Sequence, residues 1–196
     1  MTPRQPPPDH DLIERREILD AAGVAGALQR MSREIAARIP ATDRPLYLIG
    51  IRTGGAFLAQ RLARLLVAAG ETAPALGAVD ITLYRDDVFR GLPKPEIGPT
   101  ELDVPIDGRT VVLVDDVLYT GRTVRAAMDV LADFGRPRAV KLAALVDRGR
   151  RELPIQPDFV GVSLETTASE SVRVSLSELG EIDRVALRVA LRERRP

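Results

Sequence analysis

Two adjacent carboxylates, Asp115 and Asp116, stand just ahead of a Thr120-Gly121-Arg122-Thr123 turn. Carboxylates accept hydrogen bonds from hydroxyl groups. A glycine-containing turn that opens a helix instead presents unpaired N–H donors to an anion, and glycine lets a phosphate come close to the backbone. The two threonine hydroxyls add donors at the same spot. The acids stand too close to that anion to be its ligands, so the pattern suits a ribose carrying a 5′-phosphate, with its hydroxyls on the acids and its phosphate on the turn. Each piece alone has a plainer reading, Thr120 as a helix cap and the Asp pair as a solvated strand end. The string is neither a P-loop nor a dinucleotide fingerprint, since the G-x-x-x-x-G-K-[ST] and G-x-G-x-x-G spacings are both missing.

The elements around these residues decide whether they can act together. Val111–Val114 is a continuous apolar run that predicts a strand buried on both faces, and the Asp pair marks where it leaves the core. Val124, Met128 and Leu131 then recur at helical spacing up to Gly135. A second strand end has the same layout: Leu46–Ile51 predicts a buried strand, Arg52-Thr53-Gly54-Gly55 follows, and a helix runs from Ala56 to Ala69 before Gly70. Val24, Leu28, Met31 and Ile35 predict an earlier helix ended by Pro40. Further strands are expected at Ala78–Tyr84, Val140–Val146, Phe159–Leu164 and Val172–Leu176, with a last helix from Asp183. Such alternation predicts an α/β fold with a parallel sheet, whose ligands sit outside the carboxyl ends of the strands. From Arg85 to Pro105 the chain is charged, rich in proline and glycine and without period, the mark of a functional loop.

Composition bounds the rest. The 196 residues suit one domain, expected over 12–196, behind a proline-rich tail (1–11) expected to be disordered. Lys and Arg together number 28 and so do Asp and Glu, which argues against a wholly basic nucleic-acid-binding surface but leaves room for a local patch. Lysine is confined to Lys94 and Lys141, so arginine supplies the planar donors for phosphate. The chain lacks cysteine, His10 is its single histidine, and no metal-ligand spacing occurs. No apolar run approaches membrane-spanning length and no secretory pattern opens the chain, so a cytoplasmic protein without membrane contact is expected.

The run Val111–Thr123 resembles the 5-phosphoribosyl-1-pyrophosphate (PRPP) signature of type I phosphoribosyltransferases. Its wording, Asp-Asp-Val-Leu-Tyr-Thr-Gly-Arg-Thr, resembles that of the PyrR family, bifunctional pyrimidine-operon regulators and uracil phosphoribosyltransferases. Two more stretches agree, Asp80-Ile81-Thr82-Leu83-Tyr84-Arg85-Asp86-Asp87 and Leu145–Ile155. The resemblance, from about Ile18 to Glu178, implies a central, mainly parallel sheet flanked by helices, with a small hood and a flexible catalytic loop. It implies the reaction of uracil with PRPP to give UMP and pyrophosphate, with Mg²⁺ arriving on PRPP and no metal held directly by the protein. Asp115, Asp116, Tyr119 and Arg85 then become the catalytic set, and Thr120, Gly121, Arg122 and Thr123 the 5′-phosphate site. Arg52, Thr53, Gly54 and Gly55 become the pyrophosphate loop, although relatives often carry a further arginine where Gly54 stands. Tyr84, Arg85, Asp86 and Asp87 become the flexible flap, and Asp147 and Arg148 the base site, with Ser177 and Glu178 completing its pocket. Purine-using relatives usually carry an aspartate where Tyr119 stands, which favours a pyrimidine; a purine phosphoribosyltransferase is the more distant alternative.

The same resemblance implies a homodimer or higher homo-oligomer, and UMP-dependent binding to a pyrimidine-operon mRNA leader. Arg30, Arg33, Arg150 and Arg151 are the candidate RNA contacts, while solvated surface explains each arginine cluster taken singly. RNA-binding relatives tend to have threonine where Gln29 stands and histidine in place of Arg33 and Arg150. A UMP-sensing regulator with little or no catalysis is therefore the rival expectation.

Overall fold

The computed structural model describes residues 12–81 and 100–190. The expected tail, the Tyr84–Asp87 flap with Arg85, and residues 191–196 lie outside them.

Helix α1 (Ala21–Arg38) starts where the Asp20 side chain accepts a hydrogen bond from the Gly23 N–H at 2.7 Å. It buries Val24, Leu28, Met31 and Ile35 and gives way to extended backbone at Ile39, just before Pro40. Strand β2 (Tyr47–Ile51) leads into α2 (Gly54–Ala68), then β3 (Ala75–Val79) and a two-residue β4 (Glu101–Leu102). Strand β5 (Thr110–Leu118) leads into α3 (Arg122–Phe134), followed by β6 (Ala139–Asp147) and β7 (Phe159–Ser163). Six strands form one sheet in the order β4-β3-β2-β5-β6-β7, parallel except for β4. The β2–β5 and β5–β6 pairings put the carboxyl ends of both glycine-bearing strands at one edge. Val112 and Val114 pack with α1 and α2 on one face of the sheet, and Val111 and Leu113 pack with α3 on the other. Burial on both faces is why β5 reads as an uninterrupted apolar run.

A second, antiparallel sheet forms the expected hood, in the order β1-β9-β8, from β1 (Leu12–Leu19), β8 (Glu170–Ser175) and β9 (Arg184–Ala190). The segment from Asp183, expected as a helix, is thus a strand through Ala190. Val185, Ala186 and Leu187 are buried between two ladders, and that tertiary pairing overrides the helical leaning of its Arg and Leu residues. Strand β1 carries charge at Glu14, Arg15, Arg16 and Glu17, which concealed its pairing with β9. The expected Ala78–Tyr84 strand begins earlier, at Ala75, and ends at Val79.

Candidate active site

The acid pair lies within β5, not beyond it. Pairing of β5 with β2 stops at Gly50↔Val114, whereas pairing with β6 continues through Asp115↔Ala144 to Leu118↔Asp147. Asp115 and Asp116 therefore occupy the step where one neighbour has ended and the other persists. Asp115 is only 4% exposed, while Asp116 is half-buried. One Asp115 oxygen, Oδ1, accepts from the Asp116 N–H at 3.0 Å, and Asp116 Oδ1 accepts from the Val117 N–H at 2.8 Å. Asp115 Oδ2 is buried without a partner. Burial pushes the Asp115 carboxyl well above the usual carboxylate range, and the adjacent Asp116 charge pushes it further. Burial raises Asp116 as well.

The amino end of α2 closes on this pair. A Cβ on Gly55 would stand 2.2 Å from the Val114 carbonyl oxygen, and one on Gly54 would stand 2.6 Å from Asp116 Oδ2. Only glycine permits the first approach, because backbone cannot give way. Arg52 pairs with Glu101 of β4 at 2.8 Å, and its Nε is buried without a partner. Thr53 precedes α2 with an exposed side chain that makes no capping hydrogen bond.

At the other strand end Gly121 takes φ +92°, a left-handed conformation that suits glycine, and α3 begins at Arg122. No acid stands in the first turn of α3 and its N-cap, Gly121, has no side chain to cap it, so the helix end keeps its positive character. The Arg122 N–H reaches Thr120 Oγ1 at 3.3 Å, and the Arg122 side chain turns to Glu152 at 2.7 Å. Thr123 is half-buried in the first turn. The chain thus presents two carboxylates, a vacant helix amino end and a glycine loop along one sheet edge. Such an edge can receive an anionic group at each flank and polar hydroxyls between them.

Asp147 and Arg148 sit at the end of β6 beside this edge, both engaged. Asp147 Oδ1 accepts from the Gly149 N–H at 2.9 Å and from Arg151 at 2.7 Å. Arg148 is 7% exposed, and its guanidinium lies 3.9 Å from the centroid of the Tyr119 ring. Burial lowers its pKa. Arg151 further donates to the carbonyls of Tyr119, Gly149 and Ile155 at 2.9, 3.1 and 2.9 Å, so it knits the loop after β6 to the end of β5. Arg30 donates to the Gly161 carbonyl on the edge strand β7 at 2.9 Å. Arg33 and Arg150 are exposed, with Arg150 only 3.4 Å from the Thr166 carbonyl.

Ser177 and Glu178 join a cluster the sequence did not announce. Arg61 of α2 donates to Glu178 Oε1 at 2.8 Å, Ser177 Oγ at 3.0 Å and Asp183 Oδ1 at 2.9 Å. The one sequence hint is an arginine set among the leucines of an amphipathic helix. A separate cavity of about 610 Å³, lined by Ala36, Ile39, Arg44 and Glu71, opens at the amino end of β2, across the sheet from the acids. Among the described residues no helix is long and apolar enough to cross a membrane.

The family model described as phosphoribosyl transferase domain matches residues 15–178. A protein of Syntrophobacter fumaroxidans named "Bifunctional protein PyrR" is 48% identical over 180 residues, covering 92% of this chain and 96% of its own. One of the same name from Geobacter sp. is 51% identical over 164 residues, covering 84% and 92%. The fold is similar to that of the hypoxanthine phosphoribosyltransferase of Trypanosoma cruzi, with TM-score 0.68 and 15% identity over 91% of this chain and 98% of that one. A hypoxanthine phosphoribosyltransferase from Staphylococcus aureus gives TM-score 0.66 at 18% identity, covering 90% and 93%.

Proposed function

Because the chain belongs to the phosphoribosyl transferase family, and within it to the PyrR group, we propose that it transfers the 5-phosphoribosyl group of PRPP to uracil. The supporting observation is an acid pair, Asp115 buried and Asp116 half-buried, that no cation among the described residues pairs with, set beside the amino end of α3, whose first turn carries no acid. The 5′-phosphate sits on the N–H groups of Thr120–Thr123, where the α3 dipole and the threonine hydroxyls stabilise it. The ribose hydroxyls donate to the acid pair, Asp116 being its more exposed member. The pyrophosphate meets Arg52 and the loop Thr53-Gly54-Gly55. As the bond from C1′ to the pyrophosphate oxygen breaks, positive character grows on the ribose ring, and the acid pair stabilises it electrostatically. Pyrophosphate leaves with the electron pair of the broken bond, and uracil N1 forms the new bond to C1′ and passes its proton to the departing pyrophosphate. Positioning and charge stabilisation carry most of the rate, since N1 is far more acidic than an ordinary amine. Arg85 offsets charge on the departing pyrophosphate, and the flap it shares with Tyr84, Asp86 and Asp87 excludes water during this step.

The donor set here is wholly oxygen, which suits Mg²⁺ better than a softer metal. This fits a cation carried by the substrate, with Asp116 and the unpartnered Asp115 Oδ2 as the protein oxygens nearest to hand. When bound, Mg²⁺ offsets charge on the pyrophosphate.

Steady-state assays with PRPP, Mg²⁺ and uracil, hypoxanthine or guanine test the proposal. Turnover with uracil alone is expected; turnover of a purine without uracil would overturn it. We further propose UMP-dependent binding to an mRNA leader by a cytoplasmic homo-oligomer, with exposed Arg33 and Arg150 as the first contacts. Arg30 and Arg151 are engaged with backbone carbonyls and serve mainly to hold the fold. Gel shifts on the leader of the host's pyrimidine genes should show a complex tightened by UMP, and no such complex would exclude this second role.

A further inference from the structure

The guanidinium of Arg148 has three sets of partners. Its face covers the Tyr119 ring at 3.9 Å, its Nε donates to Thr166 Oγ1 at 3.2 Å, and its Nη2 donates to the Glu170 carbonyl at 2.7 Å. Thr166 is itself buried, at 8% exposure, and Glu170 opens hood strand β8. The Glu170 side chain accepts from the Thr167 N–H at 2.8 Å and from Arg15 of hood strand β1 at 3.0 Å. A chain of contacts therefore runs from the hood, through Thr166 and Glu170, to Arg148, and from Arg148 onto Tyr119. The Arg148 N–H also donates to the Leu118 carbonyl at 3.1 Å, which fixes the backbone on which Tyr119 stands.

A buried arginine with Nε, Nη2 and one face engaged keeps only Nη1 with which to read a base directly. It can fix a neighbour, because a planar guanidinium stacked on a ring restricts the ring's tilt while its N–H groups restrict its own. We propose that Arg148 is a positioning residue. It sets the orientation of the Tyr119 ring, and through Thr166 and Glu170 it makes that orientation depend on the seating of the hood. The base-binding contribution expected of Arg148 is thereby exercised through Tyr119. Tyr119 lies between the acid pair and the phosphate turn in sequence, so a change in its tilt alters the space for the base and leaves the PRPP contacts in place.

This inference rests on the uracil reading of the site, and one measurement is independent of turnover. The chain has three tyrosines and no tryptophan. Full-length protein labelled with 3-fluorotyrosine therefore gives three fluorine signals, and Tyr119→Phe identifies the one of interest. Arg148→Met should shift and broaden the Tyr119 signal and leave that of Tyr47 in place. The same variant should raise KM for uracil about tenfold, with KM for PRPP within about twofold. Arg148→Lys keeps the cation but not the fork, and should recover part of both changes. Thr166→Val removes one acceptor from Arg148 without touching Tyr119 and should act in the same direction by about threefold. It carries the test if Arg148→Met does not fold. An unmoved Tyr119 signal in the folded variants, or equal rises in both KM values, would overturn the proposal. Absence of uracil turnover in the parent protein strikes the proposed function instead, and the fluorine signal still decides whether Arg148 governs Tyr119.

Discussion

Helix α2 adjoins two pairs of acids and treats them oppositely. At its amino end Gly54 and Gly55 let it close on Asp115 and Asp116, which have no cation partner among the described residues and whose carboxyls are pushed upward by burial. Further along, Arg61 grips Glu178 and Asp183; hydrogen bonding to Arg61 lowers Glu178 and brings Asp183 to about 2. The second pair is satisfied and joins the hood to the helix. The first is left at an energetic disadvantage that a bound ligand can relieve, the usual signature of a working site. Both pairs are carboxylates; what differs is whether the fold supplies the counter-charge.

Removing the unsatisfied pair gives the largest effect. Asp115→Asn with Asp116→Asn should lower kcat/KM for PRPP by about 10²–10³-fold. The melting temperature at neutral pH should stay at or above that of the parent. A carboxyl raised on folding contributes stability below the ordinary carboxylate range and loses it as pH rises through the folded value, so neutral Asn removes a cost. Unfolding of this variant would show the pair to be structural and erase the contrast.

Breaking the satisfied pair should do the reverse. Arg61→Ala should cost about 2–3 kcal/mol in urea unfolding, because it strands two partly buried acids. The lowered carboxyls of Asp183 and Glu178 contribute stability that is complete above the ordinary range and is lost as pH falls from about 4 towards 2. The stability gap between parent and Arg61→Ala should shrink over that window, as acid titrations followed by circular dichroism can measure.

Gly54→Ala tests the contact between α2 and the unsatisfied pair. Its Cβ forces Asp116 aside, so kcat/KM should drop about tenfold with little change in stability. The mildest change, Glu101→Gln, releases Arg52 from its exposed ion pair and should lower KM for PRPP by about twofold, in line with the small worth of such pairs. A rise in that KM would mean that Glu101 orients Arg52 for pyrophosphate and does not compete with it.

The main sheet was legible because its strands are buried on both faces and its helices carry regular apolar stripes: Val111–Val114, Leu46–Ile51 and the Val24-Leu28-Met31-Ile35 series all stand where their patterns put them. The hood was only half legible. Strand β1 is half charged and mostly exposed and β9 sets Arg184 and Arg188 among Val, Ala and Leu, so neither shows its pairing without the other. The site divides in the same way. Asp-Asp and Thr-Gly-Arg-Thr announced their place at one strand end through local spacing, since strand end, turn and helix start are contiguous.

The sequence by itself therefore determined the sheet, the glycine turn ahead of α3 and the acid pair, each of which depends on neighbours a few residues apart. Only the tertiary structure decided that Asp115 Oδ2 is buried without a partner and that Arg61 joins Ser177, Glu178 and Asp183. It likewise decided that Arg148 lies on Tyr119 under the hood. These properties depend on segments far apart in the chain, and burial and counter-charge exist only once those segments have met.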